Sequence, residues 1–131
     1  MKIFDVSFNH INGTLPISYA AWTGLESFAV YLNRIEGNLP TQYAAWGNTF
    51  KAFSADSNLL TGEIPASWIA LTGLESFSIE SNQLTGMLPA SWSAFTHMTN
   101  FNVFNNQFQG TLPTNWASWT GIRNFNVQTN S

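Results

Sequence analysis

Phe77-Ser78-Ile79-Glu80-Ser81-Asn82-Gln83-Leu84-Thr85-Gly86-Met87-Leu88-Pro89-Ala90-Ser91-Trp92-Ser93-Ala94-Phe95 carries several structural instructions in nineteen residues. Phe77 to Ile79 alternates apolar and polar side chains, the period of a half-buried strand. Asn82 closes that strand, because a short amide can bond the backbone groups that a bend leaves unpaired. Gly86 marks a second bend, where a positive φ or a close backbone approach is expected. Leu88-Pro89 reads as extended, since the residue before a proline is pushed out of the helical region. Trp92 and Phe95, three apart, suit a short helical or 3₁₀ turn.

The same instructions recur along the whole chain. Asparagines stand at Asn9, Asn33, Asn58, Asn82, Asn106 and Asn130, spaced 24, 25, 24, 24 and 24 apart. Glycines follow at Gly13, Gly37, Gly62, Gly86 and Gly110, and the prolines at Pro16, Pro40, Pro65, Pro89 and Pro113. Three residues after each proline comes an aromatic: Tyr19, Tyr43, Trp68, Trp92 or Trp116. Five full repeats therefore start near Phe4, Phe28, Phe53, Phe77 and Phe101, with a partial sixth from Phe125. One such unit cannot bury its own apolar stripe, but a stack can, so residues 1–131 are expected to form one repeat solenoid. The asparagines of successive turns should lie over one another as an internal ladder. At about 4.8 Å per paired strand the solenoid would be roughly 25 to 30 Å long. The 25-residue turn places its extra residue near Gly47-Asn48-Thr49, on the outer side, where a loop absorbs it without shifting strand register.

Composition narrows the function classes. Charged residues make up 8% of the chain and the formal net charge is -3, so the basic footprint of a nucleic-acid binder is missing. With no cysteine there is no disulfide framework, thiolate metal site or cysteine nucleophile. No apolar run reaches the roughly 18 residues of a membrane span, so direct membrane insertion is not expected. No cofactor motif is present.

Leu60-Thr61-Gly62-Glu63-Ile64-Pro65 resembles the second half of the plant-type, 24-residue leucine-rich repeat. The block Leu84-Thr85-Gly86-Met87-Leu88-Pro89-Ala90-Ser91-Trp92-Ser93 is similar to the repeats of kinetoplastid surface proteins, the promastigote surface antigen and proteophosphoglycan group. The resemblance spans essentially the whole chain. It implies an α/β-type leucine-rich-repeat solenoid: short parallel strands on the concave face, with a second short strand and 3₁₀ or short helical turns on the convex side. It also implies an extracellular or cell-surface location. The chain departs from the family pattern in carrying Phe at the strand leucine of all six turns, and Trp22, Trp46 and Trp119 on the outer side. Neither end reads as a cap, which is expected of a segment of a longer array or of a unit that stacks on copies of itself.

On the concave face, three columns of side chains should point outward. One runs Ser7, Tyr31, Asp56, Glu80, Phe104 and Gln128; the next runs Phe8, Leu32, Ser57, Ser81, Asn105 and Thr129. The third runs Asp5, Ala29, Ser54, Ser78, Asn102 and Asn126. Tyr31, Leu32, Asp56, Glu80 and Phe104, with Asn102 and Asn126, are the candidate contacts for a protein or glycan partner. Asp56 and Glu80 should be neighbours on adjacent strands. An open sheet lacks the cleft that would desolvate one carboxylate, so a glycosidase pair is not expected. His10 and His97 occupy different repeat positions and share no column with a second ligand type, so neither a metal site nor a Ser-His-Asp arrangement is expected. Trp68, Trp92 and Trp116 read as core rather than as a sugar-stacking strip. Asn12-Gly13-Thr14 is the one N-glycosylation sequon. The expected activity is non-enzymatic recognition; the alternative is a structural spacer assembling end to end through open solenoid edges.

Overall fold

The computed structural model describes residues 1–131 as a stack of turns built around two parallel sheets. The larger has six strands: Ile3–Asp5, Ser27–Ala29, Ala52–Ser54, Ser76–Ser78, Asn100–Asn102 and Asn124–Asn126, ordered as they occur in the sequence. Their register sets phenylalanine beside phenylalanine, from Phe4 and Phe28 through to Phe101 and Phe125. The six rings form a stacked spine with centroids 5.2 to 5.9 Å apart and planes 10° to 25° from parallel. An aromatic column of this kind combines large area burial with the offset stacking that rings prefer. It also pins register, because a one-residue slip would turn every ring to solvent.

Asn12–Thr14, Arg34–Asn38, Leu59–Gly62 and Gln83–Leu84 make the second, four-stranded sheet. The repeat glycines have the expected positive φ, between 80° and 92°, but Gly13, Gly37 and Gly62 lie within these strands rather than at a bend beyond them. Stacking supplies a second reason for glycine there. A Cβ at Gly62 would come within 2.6 Å of the Asn38 side chain of the turn below.

Each proline is the N-cap of a 3₁₀ segment: Ile17–Ala21, Thr41–Thr49, Ala66–Ala70, Ala90–Ala94 and Thr114–Ser118. Proline fits because its fixed φ leads into the turn while its missing N–H is one the turn cannot use. The aromatic pairs in these segments stack face to face: Tyr19 on Trp22 at 4.0 Å, Tyr43 on Trp46 at 4.1 Å and Trp116 on Trp119 at 4.2 Å. Their polar atoms tie one turn to the last. The indole N–H of Trp46 donates to the Tyr19 carbonyl, that of Trp68 to Pro40, and the Tyr43 hydroxyl to Pro16. Trp68 and Trp92 are fully buried and Trp116 is buried, so these three are core, as their repeat position predicts.

The second turn absorbs its extra residue on the outer side, as its sequence suggests. Its 3₁₀ segment runs nine residues instead of five and is broken by Gly47 at φ 62°, ψ -152°. The bulge presses on the next turn: a Cβ at Gly73 would lie 2.0 Å from the Asn48 carbonyl oxygen.

Between the sheets runs the asparagine ladder. Each amide oxygen accepts a backbone N–H from the turn below, as Asn82 does from Leu60 at 3.0 Å and Asn106 from Leu84 at 3.0 Å. Each amide nitrogen donates to one carbonyl in its own turn and one in the turn below; for Asn82 these are Ile79 at 3.1 Å and Ala55 at 3.0 Å. Asn33, Asn58 and Asn130 repeat the pattern, and Asn9, in the first turn, bonds Val6 and Ser7 within its own turn. An amide suits this position because it offers donor and acceptor together, and at Asn58, Asn82 and Asn106 both are consumed in the buried interior.

Candidate functional site

The outward face of the six-stranded sheet changes character along the stack. In the first two turns its large side chains are apolar, beside Asp5 and Ser7. Phe8 is 71% exposed and Leu32 44% exposed, while Tyr31 is half-buried with its ring edge-on to Phe8 at 5.1 Å. Phe8 was not among the residues singled out from the sequence as contacts, yet it is the most exposed large apolar side chain on the chain. A signal was available: three of the other positions in its column are Ser57, Ser81 and Asn105.

That column has a backbone property the repeat pattern does not announce. Phe8, Leu32, Ser57, Ser81, Asn105 and Thr129 all have positive φ, between 53° and 57°. The left-handed region costs an ordinary side chain roughly 1 to 2 kcal/mol, and only glycine, asparagine and aspartate enter it readily. The conformation recurs in every repeat, and in the first five the N–H of this residue bonds a carbonyl of the next turn, as Leu32 does with Asp56 at 2.9 Å. Asparagine, as at Asn105, would lessen the strain, and any small polar residue would suit the exposure. Phe8 and Leu32 do neither.

In the third and fourth turns the face is acidic. Asp56 is held by three donors: the Ser54 hydroxyl at 2.9 Å, the Ser78 hydroxyl and the Glu80 backbone N–H at 2.9 Å. Glu80 accepts from the Asn102 amide through Oε2, and the Asn102 oxygen accepts the Phe104 N–H at 3.1 Å. The adjacent carboxylates are thus braced by hydroxyls and amides, with no cation beside either. Glu26 and Glu75, at the sheet's flank, are by contrast paired with Lys2 at 2.7 Å and Lys51 at 3.4 Å. Asp5, the third acid of this face, is held below the ordinary carboxylate range by the Ser7 backbone N–H.

The last turns are amide-rich, and three of the amides donate to side chains of the preceding turn. Asn124 donates to Asn100 at 2.7 Å, Asn100 to Ser76 at 3.0 Å, and Asn105 to Ser81 at 3.3 Å. The Asn126 oxygen accepts the Gln128 N–H. Phe104, expected to stand exposed, is half-buried. His10 and His97 are exposed, and no three histidine, aspartate or glutamate side chains gather at metal-binding distance. Asn12 is exposed on the outer strand of the four-stranded sheet, away from the six-stranded face. No helix is long and apolar enough to cross a membrane.

Parallel strands stacked one per 24- or 25-residue turn, an internal asparagine ladder and 3₁₀ segments opposite define a leucine-rich-repeat solenoid. Solved structures agree. The chain is similar to the TDR receptor, with 25% identity and a TM-score of 0.95 over 99% of this chain and 22% of that one. The ectodomain of the Arabidopsis receptor kinase HAESA, solved with a peptide hormone ligand, matches with 23% identity and a TM-score of 0.95 over 99% of this chain and 22% of that one. The Arabidopsis thaliana BIR2 ectodomain matches with 27% identity and a TM-score of 0.78 over 93% of this chain and 65% of that one. The chain therefore spans about a fifth of the length of the first two receptors. No family model matches it, and no curated protein sequence does.

Proposed function

We propose that this chain is a non-enzymatic recognition module of an extracellular or cell-surface protein, and that it binds a protein ligand through its six-stranded face. Tyr31, Leu32, Asp56, Glu80 and Phe104 form the contact surface, joined by Phe8; Asn102 and Asn126 flank it, Asn102 also bracing Glu80. The carrying observation is that Phe8 and Leu32 bear two costs at once, left-handed backbone and exposed apolar surface, where other turns carry small polar residues. A structural similarity supports a protein ligand: the HAESA ectodomain was solved holding a peptide hormone. Against a glycan stands the amide-rich end of the face, where Asn124 donates to Asn100, and Asn100 and Asn105 donate to serine hydroxyls. The end-to-end alternative has no counterpart among the solved structures named above. For subfamily, Leu88-Pro89-Ala90-Ser91-Trp92 supports kinetoplastid surface-antigen repeats, and exposed Asn12 is the proposed glycosylation site; secretion through a eukaryotic host should add a glycan mass that Asn12→Gln removes.

The test is selection of twelve-residue peptides from a displayed random library on the immobilised chain. Peptides that bind the parent should fail to bind the Tyr31→Ser, Phe104→Ser double variant, with circular dichroism unchanged. Equal binding by a folded double variant would refute the assignment of this face.

A further inference from the structure

We propose that the ligand is a segment in polyproline-II conformation lying along the solenoid axis, with an apolar side chain on Tyr31 and a basic side chain three residues away at Glu80. The inference rests on the recognition reading above and adds the ligand's chemistry and spacing.

Charge sets one end. Asp5, Asp56 and Glu80 are the only charged residues in the three outward columns, and all are negative. Asp56 already accepts three hydrogen bonds, from Ser54, Ser78 and the Glu80 backbone. Glu80 accepts one, through Oε2, which leaves Oε1 free for an incoming donor. The Asn102 amide holds that carboxylate in place, so a guanidinium or ammonium finds a pre-oriented acceptor with a second negative charge beside it. Apolar surface sets the other end, where Phe8, Tyr31 and Leu32 form a patch wide enough for one aliphatic or aromatic side chain.

Spacing sets the conformation. Tyr31 and Glu80 occupy the same column two turns apart, a distance of about 9.6 Å at the usual strand separation. A fully extended strand advances about 3.3 Å per residue and alternates its faces, so residues i and i+2 reach only about 6.6 Å and residue i+3 points away. Polyproline II advances about 3.1 Å per residue with three residues per turn. Its residues i and i+3 share a face about 9.3 Å apart, which matches the column.

The library selection tests this directly. Sequences enriched on the parent chain should carry Lys or Arg three positions from an apolar residue, with proline over-represented between them. Selection on Glu80→Gln, which keeps the bond to Asn102 and removes the charge, should lose the basic preference and keep the apolar one. A representative peptide should bind Glu80→Gln about tenfold more weakly than the parent, and the deficit should shrink as salt is raised. Enriched peptides without a basic residue at that spacing, or with a preference that Glu80→Gln leaves intact, would overturn the proposal while leaving recognition standing. No enrichment on the parent would overturn both.

Discussion

Replacing Asn82 should unravel the solenoid from its middle. Its amide oxygen takes the Leu60 N–H at 3.0 Å, and its nitrogen reaches the carbonyls of Ala55, Ile79 and Glu80 at 3.0, 3.1 and 3.2 Å. Asn82→Ala strands the Leu60 N–H inside, a loss of about 1 to 3 kcal/mol for one buried donor. The carbonyls of Ala55 and Ile79 suffer less, because Asn58 and Asn106 still reach them at 3.2 and 2.9 Å. Together the change should cost about 3 kcal/mol, a downward shift of about 2 M in the urea midpoint at an m-value of about 1.5 kcal/mol/M. Asn82→Asp is sharper. It keeps the oxygen facing Leu60 but turns the donor into an acceptor against three carbonyls, so the ionised form should cost about 3 to 5 kcal/mol. Protonation relieves the clash by restoring a donor, which places the folded pKa above the unfolded value near 3.9. The variant's stability should then be closest to the parent's below pH 4 and be lost as pH rises through the folded pKa. The assay is urea unfolding followed by tryptophan fluorescence at pH 3.5 and 7, with exposed Asn12→Ala as a control that shifts by less than about 0.5 kcal/mol. If Asn82→Ala loses under 1 kcal/mol, or Asn82→Asp grows more stable with rising pH, the ladder does not carry the stability assigned to it.

Three further outcomes follow from the same structure. Gly73→Ala should destabilise by about 2 kcal/mol through its clash with the Asn48 carbonyl, while Gly24→Ala, whose added Cβ meets nothing, should change little; urea midpoints separate the two. Burial raises the pKa of the Tyr43 hydroxyl above its ordinary value near 10. Above that pH the unfolded state loses its proton first, so stability should fall with rising pH, and fall less steeply in Tyr43→Phe when unfolding is followed by far-ultraviolet circular dichroism. Trp68→Phe removes a buried indole that donates to the Pro40 carbonyl, and should cost about 2 kcal/mol by urea unfolding.

What was legible in the sequence was whatever repeats in register. The phenylalanine spine, asparagine ladder, proline-capped turns and the bulge at Gly47 follow from columns of like residues, because stacking demands the same side chain at the same place in every turn. The left-handed column was not legible: Phe8, Leu32, Ser57, Ser81, Asn105 and Thr129 span five residue types and contain no glycine. Its conformation belongs to the bend that closes each strand, recurring even at Thr129, where no further turn follows, and it overrides local preference. The Asp56–Glu80 pair was placed correctly as neighbours by column arithmetic. Its bracing by Ser54, Ser78 and Asn102 depends on side-chain orientation across strands, which spacing alone does not supply.

The most direct test of the central claim is to replace Phe8 and Leu32 together by asparagine and measure stability and peptide binding on the same sample. Asparagine enters the left-handed region readily, so relief of strain should offset the lost contacts and leave the urea midpoint within about 0.5 kcal/mol of the parent or above it. Binding of the library-selected peptides should fall at least about tenfold, as expected of a recognition patch. A variant that unfolds at clearly lower urea yet binds those peptides unchanged would show that the two residues serve the fold rather than a ligand.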